Sequence, residues 1–136
     1  MKKTDLAYVA GIFDGEGSIN LCKHMNNIVL HVSVSNTNEW LLQWLKFGFG
    51  GSFYPADATD LRNQCWQWAL SGKKAVEFLR LVYPYLQLKK PQADLAFKFQ
   101  AGKTRERWRL TAGQRAVEEA QKIMMTSLNT VKREVK

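Results

Sequence analysis

The chain has 136 residues, of which 46% are hydrophobic, 12% aromatic and 24% charged, a balance that suits one compact globular domain. That excludes a disordered tail, a collagen-like fibre and a multidomain enzyme. Twenty Lys and Arg against twelve Asp and Glu leave a formal net charge of +8, which points to a polyanionic partner, with nucleic acid the first candidate.

The surplus is not spread evenly. Residues 1–88 carry 8 basic and 7 acidic side chains, and residues 89–136 carry 12 and 5. The two cysteines, Cys22 and Cys65, are far apart in strand-like runs, so a disulfide framework is not expected, and two are too few for a zinc cage. No apolar run approaches the ~18 to 20 residues that cross a bilayer. The Met-Lys-Lys start leads into an amphipathic segment without the apolar core of a secretion signal. A soluble, intracellular protein with no membrane partner is expected.

Thr4 and Asp5 read as a helix start, and Leu6, Ala7, Tyr8, Val9, Ala10, Ile12 and Phe13 make a short helix that is apolar on nearly every side. Such a helix is expected to be buried all round. The glycines of Asp14-Gly15-Glu16-Gly17 are expected to break it. Ser18, Asn20, Cys22 and His24 then alternate with Ile19, Leu21 and Lys23; after a turn at residues 25–27, Leu30, Val32 and Val34 alternate with His31, Ser33 and Ser35. This predicts an antiparallel hairpin with one apolar and one polar face.

Asn36-Thr37-Asn38 offers cap chemistry for a second helix with a core stripe of Trp40, Leu41, Trp44 and Leu45, ended by Gly48, Gly50 and Gly51. A second hairpin is predicted from residues 52–54 and 64–70, with Trp66, Trp68 and Leu70 facing the core and Cys65, Gln67 and Ala69 opposite. Its connection holds Pro55, Asp57, Asp60 and Arg62 and reads as an exposed loop. Helices follow over about 73–83, 92–100 and 112–128, the first ended by Pro84. The order αββαββα, with further helices after it, defines an α+β domain: one twisted antiparallel sheet with helices packed on one face.

The other face of that sheet presents Ser18, Asn20, Cys22, His24, His31, Ser33, Ser35, Gln67 and either Gln64 or Cys65. A solvated outer face is the commoner reason for polar strand positions. Here Lys, Glu and Asp are scarce, and a twisted antiparallel ribbon can enter the major groove and read base edges with such side chains. Cys22, His24 and His31 lack a fourth ligand at usable spacing, so base or phosphate contact is a better reading than zinc.

Ala7, Gly11 and Gly15 recur every fourth residue, so one stripe of the first helix has almost no side chains and another backbone can approach it closely. Two identical helices paired in this way would bring the carboxylates at their glycine-rich exits together on a two-fold axis, a natural site for a divalent metal.

The segment Val-Ala-Gly-Ile-Phe-Asp-Gly-Glu-Gly at residues 9–17 resembles the LAGLIDADG motif. Its context is similar to that of the LAGLIDADG homing endonucleases over about residues 5–100: a hairpin, Ser-Asn-Thr, a Gly-rich helix exit, a Trp-rich hairpin and Leu-Gln-Leu-Lys-Lys-Pro-Gln-Ala at residues 86–93. Residues 1–136 then read as one such domain with a basic C-terminal helical region over about 101–136.

The resemblance implies a homodimer, because one motif is present, with Ala7, Ala10, Gly11 and Asp14 at the dimer interface. It implies that Glu16 is the essential Mg²⁺ ligand, helped by the backbone carbonyl of Gly15, while Asp14 fixes helix ends by hydrogen bonding. Many relatives have Asp at the final acid, and both residues occur there. Lys89 matches a basic residue placed near the scissile phosphate, and Asn36, or its neighbour Ser35, a polar residue that orders solvent. The implied activity is Mg²⁺-dependent hydrolysis of double-stranded DNA at a long, nearly palindromic site, leaving short 3′ overhangs, as in intron homing, with no small-molecule substrate. Ser18, Asn20, Cys22, His24, His31, Ser33, Ser35 and Gln67 would contact DNA from the sheet. Arg62 and the C-terminal Arg105, Arg107, Arg109 and Arg115 would hold the phosphate backbone. A non-cleaving binder of the same fold, an RNA-splicing maturase or transcription regulator, is the alternative, and a helix serving dimerisation alone is the third reading.

Overall fold

The computed structural model describes residues 1–56, 64–103 and 110–131. The elements are α1 (Lys3–Glu16), β1 (Gly17–His24), β2 (Asn27–Asn36), α2 (Glu39–Phe49), β3 (Ser52–Pro55), β4 (Trp66–Ser71), α3 (Gly72–Val82), a 3₁₀ turn (Tyr83–Tyr85), α4 (Lys90–Ala101) and α5 (Ala112–Val131). The strands form one antiparallel sheet in the order β1-β2-β4-β3. The expected α+β class and αββαββα order stand, with α4 and α5 added at the end.

Alternation fixes which side of the sheet is the core. Ile19 and Leu21 of β1, Leu30, Val32 and Val34 of β2, and Trp68 and Leu70 of β4 are buried together with apolar residues of the helices. Phe78 of α3 anchors this layer, meeting the rings of Phe13, Phe49 and Trp68 at centroid distances of 5.2, 4.9 and 5.1 Å, all in edge-on geometry. Trp68 is fully buried, and its indole N–H is satisfied by the carbonyl oxygen of Gly50 at 2.8 Å. That approach depends on the turn after α2: Gly50 and Gly51 have φ of 77° and 90°, and a Cβ on Gly51 would lie 2.4 Å from the carbonyl oxygen of Ala69.

Three expectations change. The helix α1 does not break at the first motif glycine but continues to Glu16, where Gly17 takes up extended geometry. A single helical glycine costs only about 1 kcal/mol relative to alanine, and the anchoring of Asp14 described below holds the last turn in place. Nor is α1 buried all round: Val9, Ala10, Phe13 and Asp14 turn inward, whereas Ala7, Gly11 and Gly15 are exposed and Tyr8 is 58% exposed. In α2, Leu41 and Leu45 are core, but Trp40 is 65% exposed and stacks on the half-buried Trp44 at 5.9 Å.

The last helix reaches back to the start of the sheet. Lys103, just after α4, donates from Nζ to the carbonyl oxygen of Ile28 at 2.6 Å and pairs at 3.1 Å with the buried Glu118 of α5. Removing Lys103 would leave the buried Glu118 carboxylate without its cation, a loss of about 3–5 kcal/mol, so the pair fixes α5 in place.

Candidate functional site

The exit of α1 and the connector before α4 are tied through one carboxylate. Asp14 is buried; its Oδ2 accepts the backbone N–H of Gln87 at 2.7 Å, and its Oδ1 accepts those of Leu88 and Lys89 at 3.2 and 3.1 Å. The ammonium of Lys89, also buried, donates to the main-chain oxygen of Asp14 at 3.1 Å. That oxygen belongs to the last turn of α1, where helix carbonyls lack an i+4 partner and the macrodipole is negative, so a cation is favoured there. Asp14 thus ties the last turn of α1 to the connector that leads into α4.

Two residues beyond Asp14, the carboxylate of Glu16 is exposed at the helix exit. Its Oε2 accepts the side-chain amide of Asn36, the last residue of β2, whose own Oδ1 accepts the backbone N–H of Asn38 at 2.8 Å. Asn36 is thus oriented from two sides, and its amide nitrogen faces the acid. Of the two neighbouring candidates for the solvent-ordering position, Asn36 is the one bonded to Glu16; Ser35 lies on the open face of the sheet, opposite Gln67 of β4.

Glu16, Asn36, Gly15 and Gly11 line one open groove with Ala7, Tyr8, Ile12 and Leu41. Beyond its own helix backbone and chain neighbours, a Cβ placed on Gly11 or Gly15 would meet no atom of the described residues within 4 Å. The glycines are therefore not demanded by packing inside the protomer, and each lowers helix propensity. Of the four residues expected at a dimer interface, Ala7 and Gly11 are on this exposed stripe. Ala10 and Asp14 are not: Ala10 is 0% exposed in its own core and Asp14 is enclosed by the α4 connector. The 3.6-residue turn puts positions 10 and 14 on the sheet side of the helix and 7, 11 and 15 on the outer side.

No group of three or more His, Cys, Asp or Glu that could hold a metal ion occurs among the described residues. Cys22, His24 and His31 accordingly form no zinc-type cluster. A hard cation at Glu16 would take one carboxylate from this chain, with the Gly15 carbonyl as the expected companion, and need further oxygens from outside it.

The open face of the sheet carries the expected polar set. Ser18 pairs with Ser33 across β1 and β2, their hydroxyls 3.0 Å apart, and Asn20 lies opposite His31. On β4, Gln67, Ala69 and Ser71 stand opposite Ser35, Ser33 and His31, and β3 adds Ser52 and Tyr54. Cys22 and His24 are exposed towards the hairpin end. The β3 contribution and Val29, opposite Cys22, were missed from the sequence; strand parity from Phe53 and Leu30 would have found them. Burial lowers the pKa of His31 below its ordinary 6.5, so its imidazole meets this face neutral at pH 7. No Lys, Asp or Glu of the described strands projects from this face; Lys23 is on the opposite parity and pairs with Glu119 of α5 at 3.3 Å. Arg62, Arg105, Arg107 and Arg109 lie outside the described residues, and Arg115 is exposed on α5. No described helix is long and apolar enough to cross a membrane.

No family model and no curated protein matches the sequence. Solved structures do. The homing endonuclease I-CvuI, solved in complex with its target in the presence of Ca, is 18% identical, with 93% of this chain and 82% of that chain covered and a TM-score of 0.78. The archaeal intron-encoded homing endonuclease I-Vdi141I, complexed with DNA, is 15% identical over 94% of this chain and 86% of that one, at a TM-score of 0.79. The meganuclease I-SmaMI, bound to uncleavable DNA, is 17% identical; 87% of this chain covers 43% of that one, at a TM-score of 0.65. With its motif at the end of α1 and its polar face on the open side of the sheet, the chain has the fold of the LAGLIDADG homing endonucleases.

Proposed function

We propose that the protein is a homing-type DNA endonuclease that pairs through α1 and makes a double-strand break, with short 3′ overhangs, at a long, nearly palindromic site, using Mg²⁺. The observation that carries this reading is the position of Glu16: an exposed carboxylate, steered by Asn36, at the end of a glycine stripe that no packing among the described residues requires. A second copy laid along that stripe would bring a second Glu16 to the same end.

The residues suit the chemistry. Hydrolysis of a phosphodiester needs a water made nucleophilic and a leaving 3′ oxygen stabilised, and a divalent metal supplies both. Glu16 and the Gly15 carbonyl would hold the metal, with phosphate oxygens completing its shell. Asn36 keeps the Glu16 carboxylate in one orientation and offers an amide to solvent beside it. Lys89, held at the same helix exit by Asp14, adds positive charge where the phosphate gains negative charge. The neutral polar face then reads bases, and the basic residues from Lys89 onward hold the backbone.

Incubation with a plasmid library of random inserts tests this directly. Mg²⁺-dependent linearisation at a recurrent, nearly palindromic sequence supports the reading; tight, specific binding without a break across a broad library would favour the maturase or regulator instead.

A further inference from the structure

A row of side-chain amides runs from the start of α4 through α5 to the open face of β1. Gln92 donates from Nε2 to Asn129 Oδ1 at 3.4 Å. Asn129 in turn donates from Nδ2 to the carbonyl oxygen of Ile19 at 2.9 Å and to Asn20 Oδ1 at 3.2 Å. The amide orientations are settled by chemistry: a backbone carbonyl only accepts, so the atom of Asn129 facing Ile19 is the nitrogen, and the atom of Asn20 facing that nitrogen is the oxygen. Ile19 is on the outer edge of β1, where the carbonyl has no neighbouring strand, so Asn129 also closes the sheet edge.

We propose that Asn129 is a positioning residue that sets what Asn20 reads. The inference rests on the proposed role of the open face in contacting DNA. A free asparagine matches adenine with both ends of its amide, accepting from N6 and donating to N7. Asn20 is not free: its oxygen is anchored towards α5, and its nitrogen has no partner among the described residues. It meets the groove as a donor. The base it reaches is therefore one that presents an acceptor, guanine, thymine or the N7 of adenine, adenine losing the second bond that a free amide would make to its N6, and cytosine, whose N4 is a donor, is rejected. The strand pattern alone would assign Asn20 to adenine.

A binding selection from a randomised duplex library, compared between wild type and variants, reads this without needing cleavage. Asn20→Ala identifies the position, because enrichment there flattens. At that position the wild type enriches G or T over C by about tenfold, within the usual 1–3 kcal/mol of a good base contact. Asn129→Asp replaces the donor with an acceptor, so the Asn20 amide turns over and presents its oxygen; preference at that one position passes to C or A, and the rest of the site is unchanged. Asn129→Ala, which frees the amide to bond both N6 and N7, raises A above G and T. A merely structural role for Asn129 would weaken binding at all positions alike and leave the profile intact, and that result overturns the proposal. The same holds if Asn20→Ala flattens no position while changes at His31 or Gln67 do. A wild type that enriches no sequence at all would instead remove the DNA-reading role on which the inference rests. Should Asn129→Asp fail to fold, as judged by thermal melting, the Asn129→Ala profile decides.

Discussion

Lys89 and Asp14 hold each other by two routes: the Lys89 ammonium donates to the main-chain oxygen of Asp14, and the Asp14 carboxylate accepts the backbone N–H of Lys89. The pair links the exit of the motif helix to the start of α4 across 75 residues of sequence. It also explains why an acid sits in the interior of the motif: three backbone N–H groups of the connector converge on it.

Asp14→Ala is accordingly expected to destabilise the fold by about 2–4 kcal/mol, since it removes three charge-assisted hydrogen bonds to backbone N–H groups, that of the buried Lys89 among them. Urea unfolding of the purified variant measures it. A loss below about 0.5 kcal/mol would mean that the connector is held by other interactions.

Gly11→Leu is expected to leave the protomer folded, because a Cβ at Gly11 meets nothing beyond its own helix among the described residues and leucine raises helix propensity by nearly 1 kcal/mol. Sedimentation velocity is expected to show the proposed dimer for the wild type and a monomer for Gly11→Leu, with cleavage abolished. A variant that remains dimeric would place the partner on another surface.

His31 gives a pH signature. Its pKa is lowered in the fold, so below about 6.5 the unfolded chain binds more protons than the folded one, and stability falls as pH drops below that value. Above it, this contribution is fully present. His31→Gln should flatten the stability profile between pH 7 and pH 5 as followed by thermal melting. An unchanged slope would assign the acid sensitivity to other groups.

The charge asymmetry predicts a salt signature. Neutralising Arg105, Arg107, Arg109 and Arg115 together should reduce the slope of log K against log salt by about 0.9 for each phosphate that is no longer neutralised, while base preferences stay the same. Unchanged affinity and slope would end the division of labour between a reading face and a basic C-terminal grip.

The strands and both hairpins were legible because their period of two survives in sequence: every even position from Ile28 to Val34 is apolar and buried. Glu16 and Lys89 were singled out only through a resemblance, Glu16 by the motif and Lys89 by the segment at residues 86–93, since a lysine at a helix start carries no signal of its own. What the sequence could not carry is what depends on distant packing. The two glycines that read as a helix break remain compatible with a helix running to Glu16 because Asp14 is tied to residues 87–89. The resemblance implied Ala10 at a dimer interface, whereas packing on the sheet fixes the rotation of α1 and turns Ala10 inward. Asn129 has no local mark at all; its meaning comes from Ile19 and Asn20, more than 100 residues away.

The most direct test of the central claim is cleavage by Glu16→Gln of the target that the wild type selects from a random library in Mg²⁺. The substitution keeps the size and the hydrogen-bonding reach of the side chain and removes the charge a hard cation needs. Expected is binding of the same nearly palindromic site within a few-fold of wild type, with cleavage lowered by at least about 10³, the loss of roughly 4 kcal/mol of transition-state stabilisation. Cutting of that site by Glu16→Gln at the parental rate would contradict the assignment of Glu16 as the metal-holding carboxylate.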